Sequence, residues 1–213
     1  MKFIQIAGTK GKGSTSTYLS NMISAAGYKT GLFVSPHIRR ENERVSIDGA
    51  DIPSADLARL MQTTTETGYF RKFFQVAMAY FAEQGVEVAV METGLGGRHD
   101  PATRLPVAAL VLTRIGMDHM EILGDTIQKI ALEKAAAIRP GGRVISAPQD
   151  ERVRHIVEAT CFLRHARLST VREKDFCVHP DGSFSVDGID NLRIQNPASM
   201  PDVTAAAAVR TAG

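Results

Sequence analysis

The sequence predicts an α/β fold in which a mostly parallel sheet is flanked by helices. Three observations carry this reading. Short apolar runs alternate with amphipathic stretches along most of the 213 residues, the pattern of βαβ units. The runs are continuous rather than alternating, as in strands covered by helices on both faces. The glycine-rich and polar segments follow the runs, at 8–14, 35–37, 92–98 and 116–119. Open sheets of this kind bind ligands beyond the carboxyl ends of their strands.

The elements follow in order. KFIQIAG (2–8) reads as a short buried strand. Residues 14–26 put Tyr18, Leu19, Met22 and Ile23 on one helical face, and Gly27 ends the helix. KTGLFVS (29–35) is a second strand, followed by loop with a short strand at 45–47 and a turn at Asp48 and Gly49. Ser54 is placed to cap a helix reaching about residue 64, and residues 70–84 form a longer helix ended by Gly85. VEVAVME (86–92) and AALVLTRIG (108–116) are buried strands. Residues 125–138 form a helix stopped by Pro140 and Gly141, RVISAP (143–148) is a strand, and 150–165 is helical. From about Ser169 to Gln195 the texture changes to short strands with a hairpin at HPDGSF, before a final small-residue helix at 201–212. The whole of 1–213 reads as a single domain, with a β-rich subregion at 168–196.

Composition excludes several classes. The hydrophobic fraction of 44% suits a packed globular chain. A net charge of +2, no tryptophan and few aromatics argue against a nucleic-acid partner. No apolar run is long enough to span a membrane and no cleavable leader is evident, so a cytoplasmic protein is expected. Cys161 and Cys177 lack metal spacing and read as two reduced, largely buried thiols.

The segment AGTKGKGST (7–15) packs three glycines, two lysines and three hydroxyl residues into nine positions. A strand, a glycine-rich turn and a helix N-terminus together make an anion site, because the first N–H groups of a helix lack internal partners. Gly8, Gly11 and Gly13 allow close backbone approach to phosphate, Lys12 would reach the terminal phosphates, and Ser14 could ligate Mg²⁺. The candidate nucleotide-binding loop is therefore Gly8, Thr9, Lys10, Gly11, Lys12, Gly13, Ser14 and Thr15. The glycine between Lys12 and Ser14 departs from the consecutive Lys-Ser/Thr of P-loop ATPases and kinases.

GTKGKGS resembles the phosphate loop of the Mur ligase superfamily, and within it the dihydrofolate synthase/folylpolyglutamate synthase branch. Further segments match that branch in order: SPHI (35–38), ENERVSIDG (41–49), METGLGGRHD (91–100) and IGMDHMEILGDTIQKIALEKAAAI (115–138). The likeness is strong from residue 3 to about 148 and weak beyond. It implies a P-loop-type central domain and an ATP-dependent amide ligase. In that reaction a folate-type carboxylate is phosphorylated by ATP and the acyl phosphate is then attacked by glutamate. It assigns metal roles to Ser35, Glu92 and His119, beside the Ser14 already read from the loop, and catalytic roles to Lys12, His119 and Lys134. Lys134 maps to a lysine that the family carbamylates to hold a second Mg²⁺. Carbamylation needs a neutral amine, so this lysine should sit where charge is disfavoured.

Plainer readings stand beside these. Glu92, ending an apolar strand, is either solvated or bound. His119 alone would be an ordinary loop histidine, Lys134 an ordinary solvated cation, and Asp118 a cap. Ser35 could be a turn residue before Pro36, and His37 an exposed partner. Arg98 either clamps an anion or pairs with Asp100. Two competing readings are a Mur-like ligase with another carboxylate and a non-catalytic nucleotide-binding module.

Several features depart from the resemblance. The family carries a segment before the phosphate loop and a C-terminal α/β domain that closes over ATP. NPASMP stands where G-x-HQ-x-x-NA precedes the last helix. Gln75, Arg104 and Ala136 replace usual residues. The expectation is a chain that binds nucleotide but turns over poorly alone, since alignment of reactants is worth roughly 7–11 kcal/mol. A partner lobe or homo-oligomer would then supply the missing domain.

Overall fold

The computed structural model describes residues 1–194 and 203–212. Its main sheet has eight strands in the order β4-β3-β2-β5-β1-β6-β7-β8. They are β1 (Lys2–Ala7), β2 (Thr30–Phe33), β3 (Val45–Ile47), β4 (Ala50–Asp51), β5 (Val88–Glu92), β6 (Val107–Leu112), β7 (Arg143–Ser146) and β8 (Arg167–Thr170). The six strands from β2 to β8 pair in parallel; β3 and β4 add an antiparallel edge. The helices are α1 (Lys12–Ala25), α2 (Ser54–Thr63), α3 (Tyr69–Glu83), α4 (Met120–Leu123), α5 (Ile127–Ala135), α6 (Glu151–Leu163) and α7 (Val203–Ala212). A small antiparallel sheet, β9 (Phe176–Val178), β10 (Phe184–Val186) and β11 (Ile189–Leu192), precedes α7.

The apolar runs cover both faces of the sheet. Ile4 and Ile6 of β1 pack with Leu19 and Ile23 of α1 and the alanines of α7. Phe3 packs instead with Phe73, Ala77 and Phe81 of α3. The β6 and β7 side is closed by Ile130 of α5 and Val153 and Val157 of α6. Each fully buried side chain of this size stabilises the fold by about 1.5–3 kcal/mol. The alternation leaves the carboxyl ends of β1, β2, β5 and β6 on one edge, where the connecting loops gather.

Local differences from the sequence expectation have physical causes. Helix α1 starts at Lys12, two residues early, because Gly11 at φ 83° takes the left-handed cap position. Pro53 stands at the N-cap position of α2 with no side-chain capping bond, and Ser54 is the first helical residue. Helix α5 ends at Ala135, before Pro140: the chain tightens, Ala137 N–H donates to Lys134 O at 3.1 Å, and Arg164 Nη1 takes the freed carbonyls of Ala136 and Ile138. Residues 167–170 extend the main sheet rather than the β-rich stretch, and the hairpin at 179–184 joins β9 to β10. Cys161 is buried, with its thiol raised to about 11 by burial, but Cys177 is exposed on β9, an outer strand of the small sheet. This corrects the expectation of two buried thiols. The NPASMP segment lies outside the described residues. Among the described residues no helix is long and apolar enough to cross a membrane.

Candidate functional site

The loop after β1 is fixed by its glycines. Gly8 has φ 144°, and a Cβ there would collide with Thr113 Oγ1 at the tip of β6. Thr9 ties the loop to the chain after β6: its N–H donates to Arg114 O at 3.0 Å, and its hydroxyl both donates to Gly116 O and accepts from Gly116 N–H, at 3.1 and 3.2 Å. Gly11 then starts α1, whose first turn carries no acidic residue. The first N–H groups, before Thr15, have no intrahelical acceptor. Thr15 is buried and donates its N–H to Gly11 O, whereas Lys10 is exposed.

A cleft of about 1190 Å³ opens over this loop. Lys12, Gly13, Ser14, Ser35 and Glu92 all line it, from the tips of β1, β2 and β5. Lys12 Nζ donates to Thr9 O at 3.2 Å, so the side chain lies back over its own loop. Gly13 faces Glu92: a Cβ there would stand 3.6 Å from Glu92 Oε2, an ordinary contact distance. Glu92 is 3% exposed, and its Oε2 accepts from Ser35 N–H at 3.2 Å. Burial raises its carboxyl to about 7, against the opposing pull of Lys12 and the Ser35 amide.

Two candidates stand apart from that cleft. Lys134, buried in the last turn of α5, reaches the back of the loop and donates to Gly8 O at 2.7 Å. Burial above all, with the nearby Lys12 charge, lowers its amine to about 8 against the opposing pull of Asp118. His119 does not line the cleft. It caps α4 at φ 46° with its side chain half exposed, 3.7 Å from Asp118 Oδ1 and 3.8 Å from Glu121 Oε1.

The GLGGRHD loop is scaffold around the site. Asp100 is buried and accepts from Ala102 N–H and Gly94 N–H, each at 2.9 Å. Burial raises it to about 6 despite these donors. Arg98 does not pair with Asp100; it binds Glu133 of α5 at 2.8 Å. A Cβ on Gly97 would stand 2.9 Å from the carbonyls of Glu133 and Lys134, so this glycine lets the loop lie on α5.

Sequence reasoning missed three contributors. Gln149 clamps the chain after β6, accepting from Ile115 N–H at 2.9 Å and donating to Thr113 O at 3.0 Å; nothing in its neighbourhood in the sequence signals this. Glu43 accepts from the N–H groups of Ile38, Arg39 and Arg40 at 2.8 to 3.1 Å and so shapes the loop carrying His37. Arg44 is buried beneath His37. Both charged residues lie in the quoted ENER segment, where only the motif, not the contacts, was visible.

Among the described residues no cluster of three or more His, Cys, Asp or Glu side chains could hold a metal ion. The oxygen-bearing side chains lining the cleft include Ser14, Ser35 and Glu92, hard donors that suit a cation which keeps several of its own waters. An under-satisfied buried carboxylate facing a cleft fits such an ion.

The family described as the Mur ligase middle domain matches residues 6–160. A folylpolyglutamate synthase from Arabidopsis thaliana is 38% identical over 186 residues, covering 81% of this chain and 32% of its own. A dihydrofolate synthase/folylpolyglutamate synthase from Bacillus subtilis is 38% identical over 160 residues, covering 69% and 37%. The structure of E. coli FolC in complex with DHPP and ADP superposes with a TM-score of 0.85 at 29% identity, over all of this chain (100%) and 53% of that one. The chain thus spans about a third of the length of the curated relatives it matches, 32% and 37%.

Proposed function

The chain belongs to the Mur ligase middle-domain family, and from that premise we propose that its cleft binds ATP with Mg²⁺. In this reading it forms the phosphoryl-transfer part of a ligase joining a folate-type carboxylate to glutamate. The observation that carries the reading is the gathering of Lys12, Ser14, Ser35 and Glu92 around one cleft. The N–H groups at the start of α1 and the Lys12 ammonium cradle the terminal phosphates. Ser14, Ser35 and Glu92 are the residues that would hold Mg²⁺, which when bound neutralises charge on the transferring phosphoryl group.

A carboxylate oxygen of the acid substrate attacks the γ-phosphorus, ADP leaves, and an acyl phosphate forms. The amine of glutamate attacks the acyl carbon, phosphate leaves, and the amine proton is lost to solvent. Lys134 joins the proposal as a carbamate: its neutral amine adds carbon dioxide with loss of one proton. Its lowered amine, about 8, supports this. His119 joins on the resemblance alone, as a candidate metal ligand.

Calorimetry of ATP binding, with and without Mg²⁺, tests the site. Lys12→Ala should weaken binding about 100-fold, the loss of charge-assisted contacts to phosphate. Glu92→Ala should reduce the magnesium dependence and leave the fold intact. Wild-type binding in both variants overturns the assignment. Dihydropteroate against a nucleotide-linked sugar then separates the folate reading from another Mur-like carboxylate.

A further inference from the structure

His37 sits on the loop after β2 and lines the cleft beside Ser35 and Glu92. Its Nδ1 accepts a hydrogen bond from Arg44 Nε at 2.9 Å. An arginine nitrogen can only donate, so the ring proton is on Nε2. No described hydrogen bond uses Nε2.

Arg44 is unusual in its own right. It is 6% exposed, and its guanidinium lies 5.0 Å from the Tyr69 ring and 5.1 Å from the Phe73 ring. Among the described residues it makes no ion pair with a carboxylate. Two acids act at one remove: Glu41 accepts from the Tyr69 hydroxyl at 2.6 Å, and Glu92 feels the guanidinium charge from the cleft wall. A buried cation without a direct counter-charge is costly, and aromatic faces offset only part of that cost. The fold keeps this arginine in one orientation, between two rings and at the end of the turn that leads into β3.

We propose that His37 is a fixed-tautomer hydrogen-bond donor, through Nε2–H, to an anionic oxygen of the ligand in this cleft, and that Arg44 is the residue that positions it. The inference rests on the nucleotide and carboxylate reading above. The oxygen belongs either to the terminal phosphate or to the acid substrate, and the two arms of the test separate them.

The ¹⁵N spectrum of the His37 ring in the unliganded chain should show the Nε2–H tautomer. Arg44→Lys keeps a cation but loses the planar donor, and should give a mixture of tautomers. Binding is then measured with a non-hydrolysable ATP analogue plus Mg²⁺, and separately with dihydropteroate. His37→Phe should weaken one of them about tenfold or more. His37→Gln, which keeps an amide N–H near Nε2, should stay within about threefold of wild type. Weakening in the first arm assigns the phosphate oxygen and in the second the carboxylate. An Nδ1–H tautomer in wild type, or wild-type binding of both probes by His37→Phe, overturns the proposal. Should Arg44→Lys fail to fold, the His37 pair still decides. A wild type that binds neither probe overturns the nucleotide reading and the ligand contact with it. The ring spectrum, read without ligand, then tests the Arg44 positioning separately.

Discussion

Glu92 and Asp100 stand at the two ends of one stretch, both buried carboxylates, in different surroundings. Asp100 has each oxygen occupied by a backbone N–H at 2.9 Å. Glu92 has one longer amide contact, 3.2 Å, and the Lys12 charge across the cleft. Both are raised by burial, Asp100 to about 6 and Glu92 to about 7. The two are raised by similar amounts, but Glu92 is the less satisfied and it faces the cavity. A buried carboxylate saturated by its own backbone holds a loop; one left short of donors beside a cleft is poised for a cation.

Removing the saturated group should cost the most. Asp100→Ala leaves the Gly94 and Ala102 N–H groups buried without acceptors. It is expected to destabilise by about 4 kcal/mol, lowering Tm by roughly 8–16 °C. Thermal unfolding followed by circular dichroism measures this. A variant as stable as wild type would remove the scaffold role and erase the contrast with Glu92.

The same group gives a pH signature. Unfolded, an aspartate loses its proton near 3.8; folded, Asp100 keeps it to about 6. Between those values the folded state binds the extra proton, so its stability falls as pH rises. Wild type should lose about 3 kcal/mol relative to Asp100→Asn from below pH 4 to above pH 6. Urea titrations of the two chains across that range isolate the difference from other carboxylates. A flat difference means the amide donors cancel the effect of burial, and a rising one that they outweigh it.

Glu92→Gln should act on binding instead. It removes a buried charge, so Tm should hold or rise slightly, while the magnesium-dependent part of ATP affinity falls about tenfold. Calorimetry and a melting curve on the same sample sharpen the comparison. A variant that loses stability while keeping its metal dependence would exchange the roles of the two carboxylates.

The parts of this arrangement legible in the sequence are those with a local period or a local spacing. Continuous apolar runs placed β1, β5 and β6, and the spacing of Gly8, Gly11 and Gly13 placed the loop between β1 and α1. Glu92 was legible because it ends such a run. The rest depends on contacts across the chain. Arg98 binds Glu133, thirty-five residues away in sequence, and no pattern near Arg98 names that partner. Gln149 works the same way on Thr113 and Ile115. Arg44 looks like a surface charge in ENER and is buried only because α3 brings Tyr69 and Phe73 over it.

Arg98 provides the smallest expected effect and a check on reading function from motif residues. It follows two glycines at a strand tip, a position that invites an anion-binding role. Its side chain is 50% exposed, and its partner Glu133 is 28% exposed. An ion pair this open is screened by water and salt and contributes roughly 0–1 kcal/mol. Arg98→Ala should therefore move Tm by no more than about 4 °C and leave ATP affinity within about threefold of wild type. The loop stays in place because Gly97 lies on the α5 backbone and Asp100 binds Gly94 and Ala102, and neither contact uses the arginine. A large loss of ATP affinity at unchanged Tm would show that Arg98 leaves Glu133 to reach the ligand. The GLGGRHD loop would then belong with Glu92 rather than with Asp100.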